Sequence, residues 1–156
     1  MTQFYERSVV NTAHVTEVTG KYSEIAARLA LIANGWVVAE PETGEAFDLV
    51  ARDPLDGEWK TFQVKTIRER QDRRNELVVY ARKGDGTTYD RADADYIVGV
   101  WVVEGEMPRV YMFENRLLTE YWASKARASE RWIELSLALN RSIYEEPAVE
   151  PVENAS

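Results

Sequence analysis

A single helical period near the start, followed by a succession of short apolar runs separated by Gly and Pro, confines this chain to a layered architecture of helix and sheet. From about Thr19 to Asn34, Tyr22, Ile25, Ala26, Leu29, Ile32 and Ala33 recur at helical spacing, and Gly35 supplies the stop. The spacing predicts an amphipathic helix. Strand-like runs follow at Gly35–Ala39, Phe47–Ala51 and Trp59–Ile67, the last two joined by the turn Asp53-Pro54-Leu55-Asp56-Gly57. Glu76–Arg82 reads as a strand, and Asp95–Val103 with Arg109–Phe113 as a hairpin across Glu104–Pro108. Glu114–Trp122 reads as a helix. The segment Trp132–Asn140 alternates like a short strand, with helix-favouring residues Lys125–Arg131 before it. The fold class expected is α/β (α+β), with a central mixed β-sheet flanked by helices.

The 156 residues suit one domain, read as 1–144, and 17 aromatics among 45% hydrophobic residues exclude disorder as its dominant state. Residues 145–156 carry Glu145, Glu146, Glu150 and Glu153 with no basic partner, and read as a disordered acidic tail. Cysteine is absent and His14 is the one histidine, which rules out disulfides, thiolate chemistry and a His-rich zinc site. No basic leader or long apolar stretch is readable, so a cytoplasmic protein with no membrane partner is expected. Gly84-Asp85-Gly86 is a turn, and no phosphate-loop or dinucleotide fingerprint is present, so no nucleotide cofactor is expected.

The net charge of −8 argues against a sequence-blind nucleic-acid coat, but its distribution is uneven. Residues 60–83 hold Lys60, Lys65, Arg68, Arg70, Arg73, Arg74, Arg82 and Lys83 against Glu69, Asp72 and Glu76. Within this stretch, and in the strand before it, polar residues interrupt apolar runs: Asp48 between Phe47 and Leu49, and Gln63 between Phe62 and Val64. If the turn at 53–57 makes these strands neighbours, Asp48, Gln63 and Lys65 project from adjacent strands, with Gln63 and Lys65 on one side. A carboxylate and an amide oxygen suit a hard divalent cation such as Mg²⁺, and a lysine beside them lies within reach of a metal-bound water or a phosphate.

The order Glu24 on a helix, Asp48 on a strand and Gln63-Val64-Lys65 on the next resembles the PD-(D/E)XK nuclease superfamily, most of all its Holliday-junction-resolvase-like and small phage or intron-encoded endonuclease branches. The similar stretches are Gly20-Lys21-Tyr22-Ser23-Glu24, Phe47-Asp48-Leu49-Val50, Gln63-Val64-Lys65-Thr66, and Asp93 to Val100 leading to Val110-Tyr111-Met112-Phe113. Phe47 stands where the superfamily name has Pro, and Gln63 where Asp or Glu is usual. The resemblance implies a restriction-endonuclease-like core and a DNA endonuclease dependent on Mg²⁺ or Mn²⁺. It also implies site roles: Asp48 and Gln63 as metal ligands, Lys65 orienting or activating water, and Glu24 supporting metal or lysine. Duplex or branched DNA is the implied partner, and one site per chain implies a homodimer or higher homo-oligomer, with the apolar segment 122–139 as a candidate interface. The alternative is a catalytically inactive nuclease fold kept as a nucleic-acid-binding or structural module.

Blander readings stay open for each residue. Glu24 suits an i,i+4 pair with Arg28, Asp48 an end-of-strand cap, and Lys65 an edge-strand lysine. The basic residues Arg68, Arg70, Arg73, Arg74, Arg82 and Lys83 suit either a solvated connection or phosphate contacts. The five tryptophans suit the core or an oligomer interface.

Overall fold

The computed structural model describes residues 12–144; the acidic tail expected at 145–156 lies outside them. Helix α1 runs over Val15–Ala33, starting before the predicted Thr19, and Gly35 at φ +91° takes the left-handed conformation that ends it. The strands are β1 (Val37–Ala39), β2 (Leu49–Arg52), β3 (Trp59–Thr66), β4 (Arg68–Arg70), β5 (Glu76–Tyr80), β6 (Tyr96–Trp101), β7 (Arg109–Glu114), β8 (Glu120–Ala123) and β9 (Ile133–Leu135), with the short helix α2 (Ala128–Arg131) before β9.

Six strands form one mixed sheet in the order β1-β2-β3-β6-β7-β9, in which β3 and β6 run parallel and the other neighbours antiparallel. The crossover from β3 to β6 passes through β4 and β5, which pair with each other, and β5 pairs in turn with β8 to complete a second sheet. The α+β class holds. One covering layer is made of strands where a helix was expected.

Side-chain alternation sorts the core into two layers. Leu49, Phe62, Val64, Val98, Val100, Val110 and Met112 pack with α1, while Ile67, Ile97, Tyr111 and Phe113 pack with Leu77, Val79, Tyr121 and Trp132. Each fully buried aliphatic or aromatic side chain contributes about 1.5–3 kcal/mol. Gly99 sits where the second layer comes closest: a Cβ there would lie 3.0 Å from side-chain carbons of both Ile67 and Val79.

Two local expectations are corrected. Glu114–Trp122 is not a helix: Leu117 has φ +62° and the segment ends in strand β8, paired with β5. Asn115 stops any helix by donating its amide to the carbonyls of Tyr89, Asp90 and Ala94 at 3.0, 3.1 and 2.9 Å. Tyr121 and Ala123 then point inward and Trp122 outward, the period of a strand. The second correction concerns α1. An apolar stripe of helical spacing ordinarily faces the core, yet Ser23, Ala26, Ala27, Ala30 and Leu31 face the sheet, while Tyr22, Ile25, Leu29 and Ile32 are 43–50% exposed. The bulk of Trp36 and Phe62, packed edge to face at 5.4 Å, fills the space beneath the helix. Small side chains are what fit above them.

Candidate active site

A cleft of about 540 Å³ opens between the N-terminal part of α1 and the adjoining ends of β2 and β3, and Glu24, Asp48, Gln63, Lys65, Arg68 and Tyr80 line it. Local chemistry sets how β2 and β3 meet at the cleft. The turn that folds β2 onto β3 is held by Asp53, whose Oδ1 accepts from Leu55 N–H at 2.9 Å. Its Oδ2 accepts from Lys60 Nζ at 2.7 Å, and Lys60 also donates to Asp56 at 2.7 Å. The register that results pairs Leu49 with Phe62 and brings Asp48 alongside Gln63.

Asp48 lies just ahead of β2, not within it. Its own N–H donates to Phe62 O at 2.8 Å, but the next amide of β3, Val64 N–H, is taken at 2.9 Å by the Asp48 carboxylate Oδ2. The side chain therefore both caps the strand and presents its other oxygen to the cleft. Burial pushes the Asp48 pKa up; the Val64 hydrogen bond opposes this, Glu24 adds to it, and Lys65 and Lys21 oppose it more weakly. A carboxylate so placed gains from a bound cation.

Gln63 is 9% exposed, and among the described residues its side-chain amide makes no hydrogen bond. The amide is not shut away from solvent: among the described residues Tyr111 Oη is the polar side-chain atom both buried and unpaired, and the Gln63 amide opens into the cleft, where water or a ligand can meet it. Lys65 shares its face of β3. The Lys65 ammonium lies 5.1 Å from the Tyr89 ring centroid and makes one long hydrogen bond, 3.4 Å to Arg82 O. β3 lies between β2 and β6 in the sheet, but β2 pairs with it only as far as Phe62, so at Lys65 the strand is laddered to β6 alone and its other side borders the cleft.

Glu24 accepts from Lys21 Nζ at 3.0 Å, and Arg28 pairs with Glu40, so the i,i+4 pair with Arg28 of the blander reading is not formed. The donor set is an acidic oxygen at Asp48, an amide oxygen at Gln63 and a second carboxylate at Glu24. It has the chemistry a hard divalent cation takes, although the described residues contain no group of three or more His, Cys, Asp or Glu side chains arranged for a metal.

The basic run is ordered and unequal. Arg70 donates to Asp72 at 2.7 Å and to Tyr80 Oη, and Arg73 reaches Glu76 at 2.9 Å and Glu120 at 2.9 Å. Lys83 pairs with Asp93 at 2.5 Å. The pKa values of Arg73 and Lys83 are pushed up by Glu120 and Asp93 respectively. Arg68 is exposed, has no carboxylate partner among the described residues, and stacks at 5.6 Å over Tyr80 in the cleft. Arg74, at φ 54°, and Arg82 also lack carboxylate partners among the described residues. Of the tryptophans, Trp36 and Trp132 are buried, while Trp59 and Trp122 are 50% and 42% exposed.

Sequence reasoning missed Ser23, Thr66 and Tyr80. Ser23 and Thr66 share a hydrogen bond of 2.7 Å that ties α1 to β3 at the cleft. A hydroxyl among the alanines of α1 was a readable signal for Ser23; Tyr80 gave none, being one more aromatic in a strand.

No family model matches the sequence, and no curated protein matches it. Among solved structures the fold is similar to that of I-Ssp6803I, a bacterial homing endonuclease, with a TM-score of 0.58 and 21% sequence identity over 72% of this chain and 80% of that one. The chain shares the mixed α+β core of that nuclease fold.

Proposed function

We propose that the protein is a divalent-metal-dependent DNA endonuclease of the PD-(D/E)XK type, hydrolysing phosphodiester bonds at the cleft formed by α1, β2 and β3. The observation that carries this reading is the Gln63 amide, open to the cleft and without a hydrogen-bond partner among the described residues, beside Asp48, whose carboxylate lines the same cleft and has a raised pKa. Similarity of fold to a homing endonuclease supports it further.

Asp48 and the Gln63 side-chain oxygen would hold Mg²⁺ or Mn²⁺, with Glu24 supporting through water. When bound, the metal supplies a lowered pKa for an attacking water and charge neutralisation at the scissile phosphate. The chain's own groups do the rest. Lys65 has donors left after its long contact to Arg82 O, and these orient the attacking water or hold a phosphate oxygen. Arg68, stacked on Tyr80 and free of carboxylates among the described residues, takes a neighbouring backbone phosphate. Ser23 and Thr66 fix the helix that carries Glu24 against the strand that carries Lys65.

A second reading, a nuclease fold kept as a DNA-binding or structural module, is favoured by the neutral amide at 63 and the absence of an acidic trio among the described residues. Incubation with supercoiled, linear, branched and single-stranded DNA in Mg²⁺ or Mn²⁺ separates the two. Cleavage that disappears in Asp48→Asn supports the endonuclease. Binding without cleavage in either metal, with no upward shift of the thermal midpoint on metal addition, selects the module.

A further inference from the structure

The apolar stripe that α1 turns to solvent is built on a coiled-coil period. Val15, Val18, Tyr22, Ile25, Leu29 and Ile32 are spaced alternately three and four residues apart, and their exposures are 81, 47, 43, 50, 49 and 46%. This is the a/d seam of a helix that meets another helix. Over Val18, Tyr22 and Ile25 it includes an apolar hollow of about 510 Å³, the kind of recess a facing side chain fills.

We infer that this stripe is the interface at which a second copy of the chain docks, α1 against α1. Three observations favour that occupant. A heptad stripe is complementary in period to an identical stripe, as a two-fold contact requires. Its area is right: six roughly half-exposed aliphatic and aromatic side chains at on the order of 100 Å² each give about 600 Å² per copy, close to the ~800 Å² per partner of a standard interface once its polar borders are counted. Its cations are already paired, Lys21 with Glu24 and Arg28 with Glu40 of the same chain, so docking buries no unpaired cation, and Glu17 beside the hollow is the one charged side chain of α1 without an ion pair among the described residues. The inference does not depend on the endonuclease reading. Because Glu24 lies on the polar side of the same helix, the dimer would bring two clefts into one assembly.

Sedimentation of the full chain tests it, with Ile25→Glu and Leu29→Glu against Leu55→Glu, a residue 94% exposed in the β2–β3 turn. Wild type and Leu55→Glu are expected to sediment at twice the chain mass, and each stripe variant to weaken association about thirtyfold or more, with circular dichroism unchanged. Since the chain has no cysteine, Ile25→Cys with a short bis-maleimide gives a readout independent of those variants: a covalent dimer is expected, and none from Leu55→Cys. A monomeric wild type, equal association of all three glutamate variants, or no cross-link at position 25 overturns the inference. So does a wild type that dimerises only after deletion of residues 2–11, which would make that segment the occupant.

Discussion

Two polar regions lie within twenty residues of each other on the chain and are built on opposite principles. On the arm of β4, β5 and the loop after it, Arg70, Arg73 and Lys83 are each committed to carboxylates. In the cleft, Gln63 has no hydrogen bond among the described residues, Lys65 has one long one, and Arg68 rests on a ring. Satisfied polar groups hold a scaffold, whereas groups left short of partners are held ready for a ligand. The sequence displays both sets as one basic run, and only their partners distinguish them.

The largest effect expected on this contrast is at Asp48. Asp48→Asn should lower cleavage on the order of 10³-fold or more, because the charge opposite the metal and phosphate is lost. It should also raise the thermal midpoint of the metal-free protein near neutral pH. The raised pKa means that the folded state holds the Asp48 proton to a higher pH than the unfolded chain. This group's stabilising contribution is therefore full below the ordinary value of 3.8 and is lost as pH rises through the raised value. The advantage of Asn should accordingly vanish in acid, and Mg²⁺ should stabilise wild type but not the variant. Scanning calorimetry at several pH values checks this, and a destabilised Asp48→Asn at neutral pH would place Asp48 with the scaffold.

Next in size is Lys65→Met, which keeps the apolar stem over Tyr89 and removes the ammonium. Cleavage should fall about 10²-fold with the thermal midpoint nearly unchanged. Equal cleavage by wild type and variant would leave Lys65 a packing residue.

The gathering of Asp48, Gln63 and Lys65 was legible because Asp48 and Gln63 each interrupt an apolar run, Lys65 stands two positions from Gln63, and the Asp53–Gly57 turn sets the register between their strands, whereas Glu24 was placed beside them only through the family resemblance. The second sheet was legible only in part. Glu114–Trp122 has apolar residues at helical spacing, but Asn115 binds three carbonyls far along the chain, and such contacts leave no local signature. The α1 stripe misleads for a related reason: periodicity reports that a face is apolar, not which of two apolar faces meets the sheet. Residue size carried that information, since only the Ser and Ala face fits over Trp36 and Phe62.

Gln63→Glu sharpens the contrast with a smaller effect. A second carboxylate beside Asp48 should tighten Mg²⁺ about tenfold and preserve or raise cleavage, while lowering metal-free stability through repulsion with Asp48. Metal titration followed by thermal midpoint gives both quantities. A large loss of cleavage would mean that the amide N–H₂ donates to substrate, a role no carboxylate can take.

The smallest effect separates the two kinds of arginine directly. Arg68 faces the cleft from the start of β4, just past the lysine strand, with no carboxylate to neutralise it among the described residues, whereas Arg70, two positions on, is held by Asp72 and Tyr80. A guanidinium already paired has little charge to offer a phosphate, so the two should differ in salt dependence more than in affinity at any one salt concentration. Arg68→Ala should weaken duplex binding several-fold, almost uniformly across sequences, and reduce the slope of log K against log salt by about 1. Arg70→Ala should leave that slope unchanged and lower the thermal midpoint instead, through the loss of the link between β4 and Tyr80 of β5. Binding isotherms without Mg²⁺ at several salt concentrations decide between them. Equal slopes for wild type and Arg68→Ala, or a reduced slope for Arg70→Ala alone, would break the distinction between ready and committed cations and move the phosphate-binding surface to Arg74 and Arg82.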